Sequence, residues 1–533
     1  VSSGPNTTHP NSAVEIRAGL TPTRARSRAT LGALLWLFVF VSTSLTGAYY
    51  PKPGDAKLMC SAADSLLRHG TLAIEHTRVD VTRGPDGHFY AKYPLMCVVQ
   101  CVPALLSQRL AASVLPHDAA IERWALGLLP HALAATLALG QMQLAWALGA
   151  GEAASLVLGL LVLFTTPLLV SSRFLYSETL QAVLAVYICL AAVRARDATR
   201  RAAFVWAGLL CGIALNTKVT WAIFPLAILV DQLHESWSAQ RVRNLLLVAA
   251  PAAAIGGAVF LAYNQLRYGD PLAQGYHAER DGTLGFAVPL WSGLYGLLFS
   301  SGKSVFIYAP LLVLSACALP HWWRRRRRDL LLLALPTLST LLITARWWAW
   351  HGDWAWGPRL VLPVIPLAAV PLLDWLHDRS SSARRLTLAL LALCGLYVQI
   401  VGISIDQSHF LHVTQPIGQS VTTRSDPALL RDDLLAVHFV PELNPIVGQT
   451  WLLKRYFSQA RWSRDSDYPW RSLGIRAWRP NHDPTPARLN FWIDGEASRA
   501  ARVLECSLLV ATGLLAWLLI RRVRARAKHA QLA

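Results

Sequence analysis

The chain has 533 residues, of which 54% are hydrophobic and only 15% charged, with a mean hydropathy of +0.36. A soluble globular domain carries about a quarter charged residues, so the composition excludes one and indicates an integral membrane protein. The net charge of +19 would suit a nucleic-acid binder, but the arginines stand in short clusters beside apolar runs, as orientation signals do. Nucleic acid is therefore not an expected partner. The eight cysteines are scattered, mostly within apolar runs, with no CxxC and no Cys/His metal spacing, so neither a zinc site nor a disulfide framework is indicated.

Residues 1–28 are polar and end in Arg24, Arg26 and Arg28, which reads as a disordered cytoplasmic tail. The apolar run 29–48 is long enough to span, and the polar loop 49–94 that follows is placed outside. Further apolar runs lie near 122–147, 154–172, 178–195, 202–217, 219–233, 244–263, 304–320, 329–345, 360–377, 386–404 and 504–520, giving about twelve spans of roughly 20 residues. The run 95–115 is apolar enough to be another. Charge parity decides against it: Arg24 to Arg28, Arg194 to Arg201, Arg241 with Arg243, Arg324 to Arg328, Arg384 with Arg385 and Arg521 to Lys528 share the inner face only if 95–115 is a re-entrant or interfacial helix. Asn216-Thr217-Lys218 must then interrupt two short crossings within 202–233.

The expected architecture is an all-α polytopic membrane protein. A transmembrane body covers 29–404, with outer loops at 49–94 and 264–303. An extracytoplasmic segment at 405–503, a last helix at 504–520 and a basic tail at 521–533 follow. Abundant Arg, Ala and Leu with little Lys fits a high-GC bacterial genome, and so a bacterial inner membrane.

Two nucleotide-binding patterns arise by chance. Gly149-Ala150-Gly151-Glu152-Ala153-Ala154 fits a loose dinucleotide fingerprint, but no strand precedes it. Gly296 to Ser304 resembles a phosphate loop with the wrong spacing, on the face where ATP is absent. More telling is the collection of polar residues on the outer face. Asp55, just past the first span, suits a helix N-cap and a catalytic base; Asp64, Glu75, Asp80 and Asp86 compete with it. Glu178, in SSRFLYSETLQ, is an acid near membrane depth, where a partner or a purpose is required, and Arg173 is a candidate partner. Lys92, Lys218, Arg267, Lys303 and Arg359 are cations on the outer face, against the orientation rule; clamping a phosphate is one reason for them and anchoring to lipid head groups another. The turn ARWWAWHGDWAWGPRL interleaves His351, Asp353, Trp354, Trp356 and Arg359, as an interfacial aromatic belt would or a surface that stacks sugar and holds phosphate.

These motifs, in this order and on this side, resemble the GT-C superfamily of polytopic glycosyltransferases, especially the protein O-mannosyltransferases and the lipid A aminoarabinose transferases. DGHFYAKYPL is similar to the family's Gly-x-x-Tyr-x-Lys-Pro-Pro-Leu, with Tyr93 at the first proline. SSRFLYSE supplies a second acid, and YNQLRYGDPLAQGY, LLFSSGKSVFIYAP and WGPRLVLPVIP resemble a bacterial subgroup. The resemblance covers roughly residues 30–375. It implies a GT-C fold and inverting transfer of a sugar from a polyprenyl-phosphate carrier to a glycan, lipid or protein acceptor outside the membrane. Asp55 would then be the base, Glu178 would orient the acceptor or support positive charge on the sugar, the cations would hold the leaving phosphate, and Tyr93 with the turn residues would contact sugar or acceptor. No cofactor is required and no metal is indicated by the ligands at hand. A transporter or flippase of lipid-linked sugars is the alternative, although no internal repeat supports it.

Overall fold

The computed structural model describes residues 22–47, 54–75, 81–114, 118–275, 285–353, 355–378, 381–407, 409–411, 414, 438–459 and 499–532. Most of residues 405–503, expected from the sequence to be extracytoplasmic, together with Asp80 and Trp354, therefore lie outside the described residues. Among the described residues, nine helices are long and apolar enough to cross a membrane, which makes the protein polytopic and helical. One two-stranded hairpin departs from the all-α expectation, with β1 (Val81–Arg83) antiparallel to β2 (Phe89–Ala91).

The helices that organise the molecule are, in order, α1 (Pro22–Ser44), α2 (Asp55–His69), α3 (Leu95–Val99), α4 (Cys101–Val114), α5 (Ala119–Ala147), α6 (Glu152–Phe164), α7 (Ser177–Arg194), α8 (Arg201–Leu215), α9 (Ile223–Gln232), α10 (Ala239–Pro251) and α11 (Val259–Tyr268). They continue with α12 (Leu290–Phe299), α13 (Leu311–Arg325), α14 (Arg327–Arg346), α15 (Ser382–Ser404), α16 (Pro445–Ser458) and α17 (Arg499–Leu532). Lipid supplies no hydrophobic drive between helices, so close approach at small residues holds them together. Gly208 and Gly212 on α8 form such a face: a Cβ on Gly208 would sit 2.5 Å from the Val248 carbonyl oxygen, and one on Gly256 would sit 3.2 Å from the Gly212 Cα. A π-helical stretch, Ala252–Ala258, joins α10 to α11 after Pro251.

The basic clusters gather at one pole of the bundle. Arg28 pairs with Glu152 at 3.6 Å, Arg326 donates to the Leu148 carbonyl at 2.8 Å, and Arg522 reaches Ser27 at 3.4 Å. Fully buried Asp231 accepts from Arg196 at 2.7 Å and from Arg328 at 3.0 Å, while Arg328 also bonds Glu235 and Arg241 donates to Gln232 at 2.5 Å. The Gly149–Gly151 turn, between α5 and α6, sits here and is no nucleotide loop.

This geometry constrains the path of 95–114. The C-terminal end of α5 lies at the basic pole, so its start lies at the other one. There Ser107 of α4 donates to the Ala125 carbonyl at 2.9 Å and Arg109 pairs with Asp64 of α2 at 2.6 Å. Leu95–Val114 is long and apolar enough to cross, and Ser107 and Arg109 tie its C-terminal half to the start of α5 and to α2. Its exposed Leu106, Leu110 and Val114 recur every four residues, a single apolar stripe. In intact cells an Arg326→Cys variant is expected to resist an impermeant maleimide until the membrane is opened; labelling without opening would reverse the orientation.

Candidate active site

Opposite the basic pole, five separate stretches converge on a cavity of ≈ 390 Å³. Asp55 enters from the first residue of α2, Lys92 and Tyr93 from the end of the hairpin, and Glu178 from the first turn of α7. Lys218 comes from the break between α8 and the following 3-10 turn, and Asp353 and Arg359 come from the tryptophan-rich turn. The break is shaped by α3, whose Met96 N–H donates to the Asn216 carbonyl at 3.1 Å while the Cys97 thiol donates to that of Thr217 at 3.3 Å. Lys218 is thereby held at the same opening as Lys92.

Asp55 does not cap its helix. Gly54 occupies the N-cap with φ 101° and no side-chain cap forms; the Asp55 carboxylate turns into the cavity instead. Its Oδ1 accepts from the Tyr93 hydroxyl at 2.6 Å and its Oδ2 meets Arg359 Nη1 at 2.8 Å. Burial alone would push this carboxyl up, but Arg359, the Tyr93 hydroxyl and Lys92 outweigh it and hold it below the ordinary 3.8. The stability this carboxylate contributes is therefore present above pH 3.8 and is lost as pH falls through the lower folded value. Of the competing acids among the described residues, Asp64, Glu75 and Asp86 do not line the cavity: Asp64 pairs with Arg68 and Arg109, and Asp86 accepts the Tyr90 hydroxyl at 2.5 Å at the hairpin turn.

Glu178 pairs with Arg359, whose Nε lies 3.5 Å from Oε1, rather than with Arg173. Arg173 instead donates to the Ile403 carbonyl at 2.8 Å. One guanidinium thus bridges both acids, its Cζ 4.7 Å from the centre of the Tyr176 ring.

The remaining cations differ in what they can do. Arg267 lines the cavity but spends its donors on the carbonyls of Ala91 (2.6 Å) and Tyr93 (3.1 Å) and on Asn264 (2.8 Å), between the rings of Tyr263 and Tyr268. It fixes the Lys92-Tyr93 stretch. Arg267→Met is expected to lower activity about 100-fold, the effect of an ångström-scale misplacement, without removing a cavity charge from Lys92 or Lys218; an unchanged rate would remove this role. Lys303 stands apart from the cavity: fully buried, its ammonium donates to the carbonyls of Asp353 (3.1 Å), Ala355 (2.7 Å) and Gly357 (3.1 Å) and so shapes the turn that carries Arg359. The phosphate-loop look-alike dissolves too, since Gly296 lies inside α12.

Among the turn residues, Asp353 lines the cavity with φ 52°. His351 is buried against His438, ring centres 4.7 Å apart, and Trp356 packs edge-on to Tyr308 at 5.2 Å; neither lines the cavity. Trp354 lies outside the described residues. Sequence reasoning did not single out Phe286, Trp347 and Trp348, which make the apolar wall, or Gln181, whose amide is held by Trp221 at 3.0 Å and Ser177 at 2.9 Å. Gln181 follows Glu178 by three residues, so the helical period alone puts it on the same face. Among the described residues no group of three or more His, Cys, Asp or Glu is placed to hold a metal ion.

No protein-family model matches the chain, and no curated protein does. Solved structures do. ArnT from Cupriavidus metallidurans in the apo state is similar over 80% of this chain and 69% of its own, at 17% identity and a TM-score of 0.46. The same protein bound to undecaprenyl phosphate matches over 96% and 80%, at 15% identity and 0.45. The oligosaccharyltransferase AglB from Archaeoglobus fulgidus, in complex with an inhibitory peptide and a dolichol-phosphate, matches over 76% and 59%, at 11% and 0.44. Both are GT-C proteins. At these scores the likeness is a distant one of overall shape.

Proposed function

We propose that the protein is an inverting glycosyltransferase that moves a sugar from a polyprenyl-phosphate carrier to an acceptor hydroxyl on the outer side of a bacterial inner membrane. The observation that carries this reading is the composition of the cavity: an acid, Asp55, oriented by a tyrosine hydroxyl, faces Lys92, Lys218 and Arg359 beside an apolar aromatic wall. Such a site suits a donor with one charged joint between a sugar and a lipid. Asp55 takes the proton of the acceptor hydroxyl as its oxygen bonds to the anomeric carbon. The bond from that carbon to the phosphate oxygen breaks on the opposite face, and the lipid phosphate leaves with the electron pair. Lys92 and Lys218 offset the charge that grows on it. Glu178, three residues before Gln181 on one helix face, supports the oxocarbenium-like sugar or orients the acceptor. Trp347, Trp348 and Phe286 offer apolar surface to the sugar ring or the first isoprene units.

Mass spectrometry of surface glycans and lipids from a deletion strain tests the reading. One species is expected to lose a single sugar and to regain it with the wild-type gene. An unchanged profile, with lipid-linked sugar accumulating on the inner face instead, would point to a flippase.

A further inference from the structure

Arg359 holds two carboxylates but engages them unequally. Its Nη1 makes a direct 2.8 Å ion pair with Asp55, whereas its Nε, 3.5 Å from Glu178, has no hydrogen-bond partner among the described residues. The side chain is only 9% exposed. This buried N–H faces Glu178 at ion-pair distance but makes no hydrogen bond, so it is a donor with capacity for an anionic acceptor. At the same time the base is least useful as it stands, because a carboxylate committed to a guanidinium binds a proton poorly.

We infer that Arg359 is a positioning residue that links arrival of the donor phosphate to the basicity of Asp55. The phosphate oxygens complete the guanidinium's hydrogen bonding at Nε and draw Nη1 from Asp55, which is then free to accept the acceptor's proton. This rests on the transfer reading above. The groups that face Asp55 set the direction. Lys92 and Tyr93 come from the hairpin end, Cys97 from α3, Glu178 and the preceding Tyr176 from the start of α7, Lys218 from the helix break, and Asp353 with Arg359 from the turn. The two lysines are shared with the phosphate, the neighbouring acids already disfavour ionisation, and an arriving anion adds to that. Every change on donor binding therefore makes proton uptake by Asp55 easier. The Tyr93 bond keeps the carboxylate aimed, and the Tyr176 ring keeps Arg359 from leaving the site. Binding is ordered as a result, donor before proton transfer.

The test uses the full-length protein in lipid nanodiscs and a carbodiimide, which modifies protonated carboxyls, with Asp55 modification read by peptide mass spectrometry across pH. Undecaprenyl phosphate is expected to raise the midpoint by about one pH unit, a tenfold gain in proton affinity, and undecaprenol, with the chain but no charge, to leave it in place. Inorganic phosphate reproducing the shift would assign it to the head group alone, in support. Arg359→Gln is expected to start from the raised midpoint and to shift less. Undecaprenyl phosphate that binds, by retention of labelled lipid, without moving the midpoint overturns the link and leaves the transfer reading standing. Failure of that lipid to bind overturns both.

Discussion

Asp55→Asn is expected to lower sugar transfer by about 100- to 10,000-fold, the range that a positioned general base supplies. The substitution keeps the shape of the side chain, and its Oδ1 can still accept from Tyr93, so the α2 start should stay where it is. What changes is the second position: an amide N–H would face Arg359 Nη1, donor to donor, where the carboxylate stood at 2.8 Å. A stability loss on the order of 1–3 kcal/mol follows from leaving that donor unpaired, small beside the loss of rate. Donor binding should survive, because Lys92 and Lys218 are untouched. Single-turnover transfer in proteoliposomes, with lipid retention measured in parallel, separates the two quantities. A variant that transfers at the wild-type rate would end the assignment of Asp55 as base.

Arg359→Leu is the second large effect, and it acts on stability as well as rate. Removing the guanidinium leaves Asp55 and Glu178 facing one another without the charge that bridges them. Breaking a buried ion pair from one side costs about 3–5 kcal/mol, and the partial exposure of Asp55, 28% of its side chain, puts the expected loss at the lower end. Unfolding in detergent, followed by intrinsic tryptophan fluorescence, should move down accordingly. Pairing the change with Glu178→Gln should recover part of that loss, since the two side chains share one interaction and their effects do not add. Strict additivity in the double variant would mean that the bridge carries no coupling.

The outline of the molecule was legible in the sequence because its signals are one-dimensional. Apolar runs marked the helical, polytopic body, and two of the arginine clusters do meet at Asp231, through Arg196 and Arg328. Parity and hydropathy disagree over 95–115, since an amphipathic stripe and a crossing differ little in composition, and Leu95–Val114 is long and apolar enough for either. Asp55 and Lys92 stood out as an acid and a cation flanking one loop. The pairing of Arg359 with both acids did not, because it joins residues far apart in the chain. Side alone also misjudged Lys303: a lysine on the right face can still be consumed by carbonyls, and sequence gives no direction for a side chain. For Trp347 and Trp348 the tryptophan-rich turn was noticed, but a cavity wall and an interfacial belt share one composition.

The π-helical stretch at Ala252–Ala258 sets the rotational phase of the helix that follows. Each residue of an α-helix advances the direction of its side chain by about 100°, and a π-turn absorbs an extra residue without lengthening the path in proportion. Phe260, Asn264 and Arg267, which recur at spacings of four and three, therefore face the cavity only in the register that the stretch provides. Removal of one residue there would carry Arg267 roughly a quarter-turn or more away from the Ala91 and Tyr93 carbonyls. The chemistry at the hairpin end thus depends on a count of residues near mid-helix, a dependence that no inspection of the site's own side chains would disclose.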